Sequence, residues 1–124
     1  RRHPMLSQLI AIAIAEKKPA EVLEWYDRRA REPHSGHRID DDAVAEAVQA
    51  FAPERSVEIW KAMAEDLIAV VKPSAYKDAA RYLRKAERVV QRMKMDNEWR
   101  QYLQTLRQQH FRKRRLLEIL NEFD

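Results

Sequence analysis

The chain has 124 residues, of which 45% are hydrophobic and 35% charged, and this balance predicts one folded domain rather than a disordered segment. It has no cysteine, which excludes disulfides, thiol catalysis and a cysteine-ligated zinc site within these residues. The net charge is +4, with −2 over residues 1–72 and +6 over residues 73–124, and this asymmetry indicates an anionic partner for the second part of the chain.

Prolines divide the chain into apolar segments of helical period. Pro4, Pro19, Pro53 and Pro73 each stand just before such a segment, and proline suits the first turn of a helix because its missing N–H has no intrahelical partner there. The segments predict six helices, over residues 4–17, 19–32, 40–51, 53–71, 73–95 and 97–122. No segment keeps the alternation of a strand with turn residues at both ends, so the predicted fold class is all-α.

One clear loop separates the second and third predicted helices. It covers residues 33–39 and contains the only glycine, Gly36, together with the H-x-x-H pair of His34 and His37. A metal site needs three or four ligands, and only a few carboxylates lie near this pair, so we expect a surface loop and no metal. Aspartates at residues 40–42 then supply a cap and a favourable charge at the start of the third helix.

Tryptophans recur at intervals typical of stacked helical hairpins. Trp25, Trp60 and Trp99 lie 35 and 39 residues apart. In the middle interval, apolar residues follow the spacing of the two helices of a tetratricopeptide hairpin, with about three extra residues between them. These residues are Trp60, Met63, Ala64, Leu67, Ala79, Leu83 and Ala86. We therefore predict about six antiparallel helices, stacked as hairpins in a short tetratricopeptide-like superhelix, in a single domain over residues 1–124; the alternative is an ordinary amphipathic bundle.

Three stretches resemble the helical region that follows the zinc finger in bacterial SWIM-type proteins. They are residues 56–69, residues 75–89 (AYKDAARYLRKAERV) and residues 98–120 (EWRQYLQTLRQQHFRKRRLLEIL), and the resemblance covers about residues 20–124. The zinc motif of that family has three Cys and one His, so no zinc ligand carries over to this cysteine-free chain. The resemblance implies that any finger lies upstream of Arg1, in a larger protein of which this chain is a C-terminal fragment. It also implies nucleic-acid or protein binding.

The fifth predicted helix carries a strip of basic residues on one face. At 100° per residue, six cations fall within about 100° of the helix circumference and along about 22 Å of its length. They are Lys77, Arg81, Arg84, Lys85, Arg88 and Arg92. Phosphates or an acidic protein surface suit such a face. The alternative is a solvated face whose charges pair with acids of the neighbouring helix, such as Glu54, Glu58, Glu65 and Asp66.

A second basic cluster lies in the sixth predicted helix. It comprises Arg107, Arg112, Lys113, Arg114 and Arg115. On a continuous helix these cations point in all directions, and Lys113 points toward the core. Three alternatives follow: the helix bends near residues 109–113, the aliphatic stems pack inward while the charges reach the solvent, or an acidic group of a partner meets this cluster.

No arrangement of side chains points to catalysis. The serines have no base at a patterned spacing, and the paired acids are adjacent in sequence and diverge on a helix. We expect no catalytic residue, no metal and no cofactor.

The leading prediction is a non-catalytic helical-repeat scaffold for protein–protein interaction within a larger SWIM-type protein. The alternative is accessory DNA or RNA binding through the basic strip. No apolar run reaches the ~20 residues that span a bilayer, so we expect no membrane partner and a cytoplasmic location.

Overall fold

The computed structural model describes residues 6–30 and 39–123, and every regular element in these residues is an α-helix. The helices are α1 (Leu6–Ala15), α2 (Pro19–Ala30), α3 (Asp41–Val48), α4 (Pro53–Ile68), α5 (Pro73–Arg92), α6 (Asp96–Gln109) and α7 (Arg114–Asn121). The all-α prediction is confirmed. The chain divides into two compact units, residues 1–56 and residues 57–124. The single domain and the tetratricopeptide-like superhelix stay predictions.

Helix starts follow the signals in the sequence. Helices α2, α4 and α5 begin at Pro19, Pro53 and Pro73, as predicted, whereas Pro4 lies outside the described residues. Helix α3 begins after Asp40, whose side chain accepts a hydrogen bond from the backbone N–H of Ala43 at 3.0 Å. The predicted aspartate cap is therefore confirmed, and it satisfies one of the backbone donors that a helix start leaves without an intrahelical partner.

Three helices end in the left-handed backbone region without glycine. The residues after α1, α4 and α5 are Lys17, Val71 and Lys94, with φ of 58°, 61° and 59°. After α1 the N–H of Lys18 donates to the carbonyl of Ala13, and after α5 the N–H of Met95 donates to that of Val90, at 3.0 and 3.1 Å. These are Schellman bonds, which satisfy carbonyl groups at the helix ends. A β-branched residue such as Val71 is the least suited to this region.

In the first unit, α1, α2 and α3 pack on one another around an aliphatic core. Its buried members are Ile10, Ala13, Val22, Leu23, Val44, Ala45 and Val48. Ser56 is buried as well, and its hydroxyl donates to the carbonyl of Ala45 at 2.6 Å. The Arg55 guanidinium donates to both carboxylate oxygens of Asp27, at 2.6 and 3.1 Å, so polar contacts join segments that are distant in sequence.

In the second unit, α5 packs against both α6 and α7, which also touch each other. The buried face of α5 contains Ala75, Tyr76, Ala79, Leu83, Ala86, Val89 and Val90. The predicted apolar side of the fifth helix is therefore confirmed. Burial of this face is the main stabilising term for a helix that is otherwise rich in charge.

The sixth predicted helix is wrong as a single element, because the chain leaves the helical path between α6 and α7. Helix α6 ends at Gln109 and α7 begins at Arg114. The break lets the Lys113 ammonium reach the carbonyl of Ile68, the last residue of α4, at 3.5 Å. A cation is favourable at a helix C-terminus, where the backbone carries a partial negative charge. Of the three sequence alternatives, the bend is the one observed.

Across residues 6–30 and 39–123, none of the helices combines the length and the apolar character needed to cross a membrane.

Candidate nucleic-acid interface

The six basic residues predicted on the fifth helix all lie on α5, which runs unbroken for 20 residues. We call them the α5 strip. Five are exposed, and they are Lys77, Arg81, Arg84, Arg88 and Arg92, whereas Lys85 is half-buried. Because the apolar face of α5 is buried against its neighbours, the strip occupies the side of the helix that remains open to solvent.

Aromatic rings hold several cations of the α5 strip in place. The guanidinium carbon of Arg84 lies 4.3 Å from the ring centre of Phe123, and that of Arg81 lies 5.2 Å from the ring centre of Tyr82. The Lys85 ammonium lies 6.0 Å from the Tyr82 ring. Such cation–π contacts are attractive. They also restrict long side chains before a ligand arrives, which lowers the entropy lost on binding.

Two acidic residues, Asp78 and Glu65, are possible ion-pair partners of the α5 strip, and they make different contacts. Arg81 pairs with Asp78 one turn earlier on α5, at 3.7 Å, and both side chains are more than half exposed, so this ion pair is weak. Glu65, one of the acids that a paired face would use, accepts a hydrogen bond from the Tyr102 hydroxyl at 2.5 Å. Burial and this carboxylate raise the pKa of Tyr102 far above its usual value, so its hydroxyl keeps the proton that it donates.

The second basic cluster does not form a comparable surface. Lys113 donates to a backbone carbonyl of α4, and Arg107 donates to the carbonyl of Leu120 at 3.2 Å. Arg115 pairs with Glu118 on the next turn of α7, at 2.9 Å. The two remaining cations are exposed: Arg112 lies over the ring of Phe111, and Arg114 opens α7. Most of this cluster therefore contacts its own unit.

A cleft of about 170 Å³ lies between α5, the start of α6 and the end of α7. Its lining comprises Glu87, Val90, Gln91, Asp96, Trp99, Arg100, Leu103 and Phe123. The indole N–H of Trp99 donates to a carboxylate oxygen of Glu87 at 3.0 Å. Sequence reasoning missed this cleft because it joins three helices. The signal available was the pair of aromatic residues, Trp99 and Phe123, that follow α5 in the chain.

The described part of the chain contains no candidate metal cluster. No group of three or more His, Asp or Glu side chains there is placed to hold a metal ion. His34 and His37 lie outside the described residues. His110 is the C-cap residue of α6, and burial together with the nearby Lys113 lowers its pKa, with Glu65 acting in the opposite direction.

Comparison with known proteins adds no relative: no family model, no curated protein and no solved structure matches the chain. The resemblance to the helical region of SWIM-type proteins therefore stays a prediction. The case for a function depends on the residues of this chain and on their geometry.

Proposed function

We propose that the chain is a non-catalytic helical binding module whose α5 strip binds the phosphate backbone of nucleic acid. One observation supports this more than any other: five exposed cations follow one face of an unbroken 20-residue helix. Successive members lie three or four residues apart, which corresponds to about 4.5–6 Å along the helix axis. A straight row of this kind meets a linear polyanion at several points at once.

The free energy of such binding comes mainly from the release of counterions condensed on the nucleic acid. The second part of the chain supplies the charge, since residues 73–124 carry a net +6. The rings beside Arg81 and Arg84 support the proposal because cation–π contacts restrict the two guanidinium groups on an open surface. Guanidinium groups match phosphate oxygens with paired hydrogen bonds.

The test is fluorescence anisotropy of labelled duplex DNA, titrated with the chain at several salt concentrations. If about four strip cations contact phosphates, the logarithm of affinity falls against the logarithm of salt concentration with a slope of about −3.6. Absence of binding at low salt, or an affinity insensitive to salt, would contradict the proposal.

A scaffold for protein–protein interaction is the second candidate, and exposed apolar side chains favour it. Val70 and Val71 after α4 and Phe111 after α6 are 50%, 59% and 65% exposed. The bond from Lys113 to the end of α4 brings these two turns toward each other. A protein partner held there would bind in moderate salt. The double substitution Val71→Ser and Phe111→Ser would weaken the affinity for that partner without changing the affinity for nucleic acid.

The resemblance to bacterial SWIM-type proteins supports the proposal that this chain is one part of a larger protein, whichever of the two functions it has. In that setting the module belongs to a larger cytoplasmic protein, and this segment carries neither a catalytic residue nor a cofactor. Western blotting of fractionated cells with an antibody against the chain tests the location. Recovery of the protein in the membrane fraction would contradict it.

A further inference from the structure

We infer that the cleft beside the α5 strip takes one base of a single-stranded nucleic acid, with cytosine preferred over thymine or uracil. This inference rests on the proposed function, since it places the phosphates of the same strand on the α5 strip. It adds a ligand class and a base preference that the strip alone does not supply.

One aromatic side chain connects the strip and the cleft. Phe123 lines the cleft, and its ring also lies 4.3 Å from the guanidinium carbon of Arg84 in the strip. Glu87, another lining residue, is on α5 between Arg84 and Arg88. A phosphate held by these arginines therefore has its own base within reach of the cleft. The two surfaces form one continuous site.

The size of the cleft fits one six-membered ring. Its volume of about 170 Å³ is similar to the ~150 Å³ cavity that holds a benzene molecule in another protein. Its apolar lining comes from Val90, Leu103, Trp99 and Phe123. Base stacking on aromatic side chains is the usual source of affinity for single strands.

The polar lining selects among pyrimidines. Glu87 and Asp96 present carboxylates, and the carboxylate of Glu87 keeps acceptor capacity after its bond with Trp99. Cytosine carries an amino donor at N4, which carboxylates accept, whereas thymine carries an acceptor oxygen at that position. The guanidinium of Arg100 also lines the cleft and can donate to the cytosine O2 oxygen.

A duplex cannot use this cleft, because its bases are paired and stacked and must be extruded at a free-energy cost of a few kcal/mol. A single strand presents unpaired bases directly. The inference therefore requires that bases, and not only phosphates, contribute to binding.

The experiment is an anisotropy titration at pH 7.5 with four ligands of equal length: (dC)12, (dT)12, an abasic 12-mer and a 12-base-pair duplex. We expect (dC)12 to bind roughly tenfold more tightly than the abasic strand, a ratio that corresponds to about 1.4 kcal/mol. We expect (dT)12 to lie between them. Equal affinity of (dC)12, (dT)12 and the abasic strand would overturn the inference while leaving the proposed function intact. Failure of all four ligands to bind would contradict both.

Two variants locate the base in the cleft. Glu87→Gln keeps an oxygen for the Trp99 indole but adds a donor, so the preference for (dC)12 over (dT)12 should disappear. Phe123→Leu should weaken (dC)12 several-fold more than the abasic strand, since the abasic strand loses only the effect of this ring on Arg84. The matched control is Phe111→Leu, since Phe111 also lies beneath an arginine but outside the cleft. An unchanged preference in Glu87→Gln would overturn the inference.

A measurement on the unaltered chain covers the case in which a variant fails to fold. Because Trp99 lines the cleft, a bound base should quench tryptophan emission. We expect quenching by (dC)12 and none by the abasic strand at the same degree of saturation. Identical emission changes with both ligands would overturn the inference.

Discussion

The α5 strip and the second basic cluster contain almost the same number of cations, yet the fold arranges them differently. In the strip, five of six basic side chains are exposed on one face of a single helix. In the cluster, Lys113 and Arg107 donate to backbone carbonyls, and Arg115 pairs with Glu118. The number of cations in a segment therefore does not show whether they share one exposed face, whereas the angular position of each charge on its helix does.

The difference follows from helical period. Spacings of three and four residues keep cations on one side of α5, where they complement a buried apolar face. Four consecutive cations at residues 112–115 cannot share one side of any helix. The helix is interrupted there, and this interruption lets Lys113 donate to a backbone carbonyl at the end of α4. The predictions below test this contrast, from the largest expected effect to the smallest.

Charge reversal should separate the two regions most clearly. In the strip, Arg81→Glu, Arg84→Glu and Arg88→Glu together remove three phosphate contacts and add repulsion, so we expect affinity for DNA to fall about 100-fold or more at low salt. Anisotropy titration measures the loss.

The matched control for this reversal is Arg28→Glu, Arg112→Glu and Arg114→Glu, three exposed arginines outside the strip with the same change in net charge. We expect the control to lose less than tenfold. Equal losses in the two triple variants would mean that net charge, and not the face of α5, determines binding.

Removal of a structural cation should affect stability instead of affinity. Lys113→Met keeps an aliphatic stem but leaves the carbonyl of Ile68 without its charged donor. We expect the free energy of unfolding to fall by about 1 kcal/mol. Arg88→Met in the strip should change it by less than about 0.5 kcal/mol, as exposed positions do. Urea unfolding followed by circular dichroism measures both, and a larger loss for Arg88→Met would reverse the assignment of roles.

The turn that Lys113 caps also contains backbone strain. Val71 has φ of 61°, in the region that glycine occupies without steric conflict. We expect Val71→Gly to raise the free energy of unfolding by up to about 1 kcal/mol. The neighbouring Val70→Gly is the control and should lower it, because Val70 lacks the positive φ that glycine would relieve. Thermal melting compares the two, and destabilisation by both variants would show that Val71 is unstrained.

Acid should lower the stability of the second unit slightly through His110, which lies next to the second basic cluster in the chain. Burial and Lys113 lower the pKa of His110 below its usual 6.5, so the unfolded chain takes up a proton first as pH falls. Stability is therefore present above pH ~6.5 and decreases as the pH falls toward the lower pKa of the folded state. We expect a shallower decrease in His110→Gln, measured by urea unfolding at a series of pH values. An identical slope in both proteins would contradict the lowered pKa.

Much of the fold was predictable because its signals are local. Pro19, Pro53 and Pro73 fix three helix starts, and Asp40 caps a fourth. The buried and exposed sides of α5 also follow from the period of one helix. Each of these inferences needs only a few consecutive turns of chain.

The break after α6 and the cleft required knowledge of distant residues. No proline or glycine marks residues 110–113, so the sequence lacks a helix-stop signal there. The stabilising partner of that break, Ile68, is 45 residues away. The cleft likewise combines Glu87, Trp99 and Phe123 from separate elements. Contacts of this range do not appear in the periodicity of any single segment.

Under the proposed function, the unbroken length of α5 also sets the length of nucleic acid that the strip contacts. From Lys77 to Arg92 the axis extends about 22 Å, which matches six or seven nucleotides at the ~3.4 Å rise of a stacked strand. Oligonucleotides should therefore gain affinity with each added nucleotide up to about seven and gain much less beyond that number. Under the proposed function, the length of this helix therefore determines how many nucleotides of a long strand one copy of the chain covers.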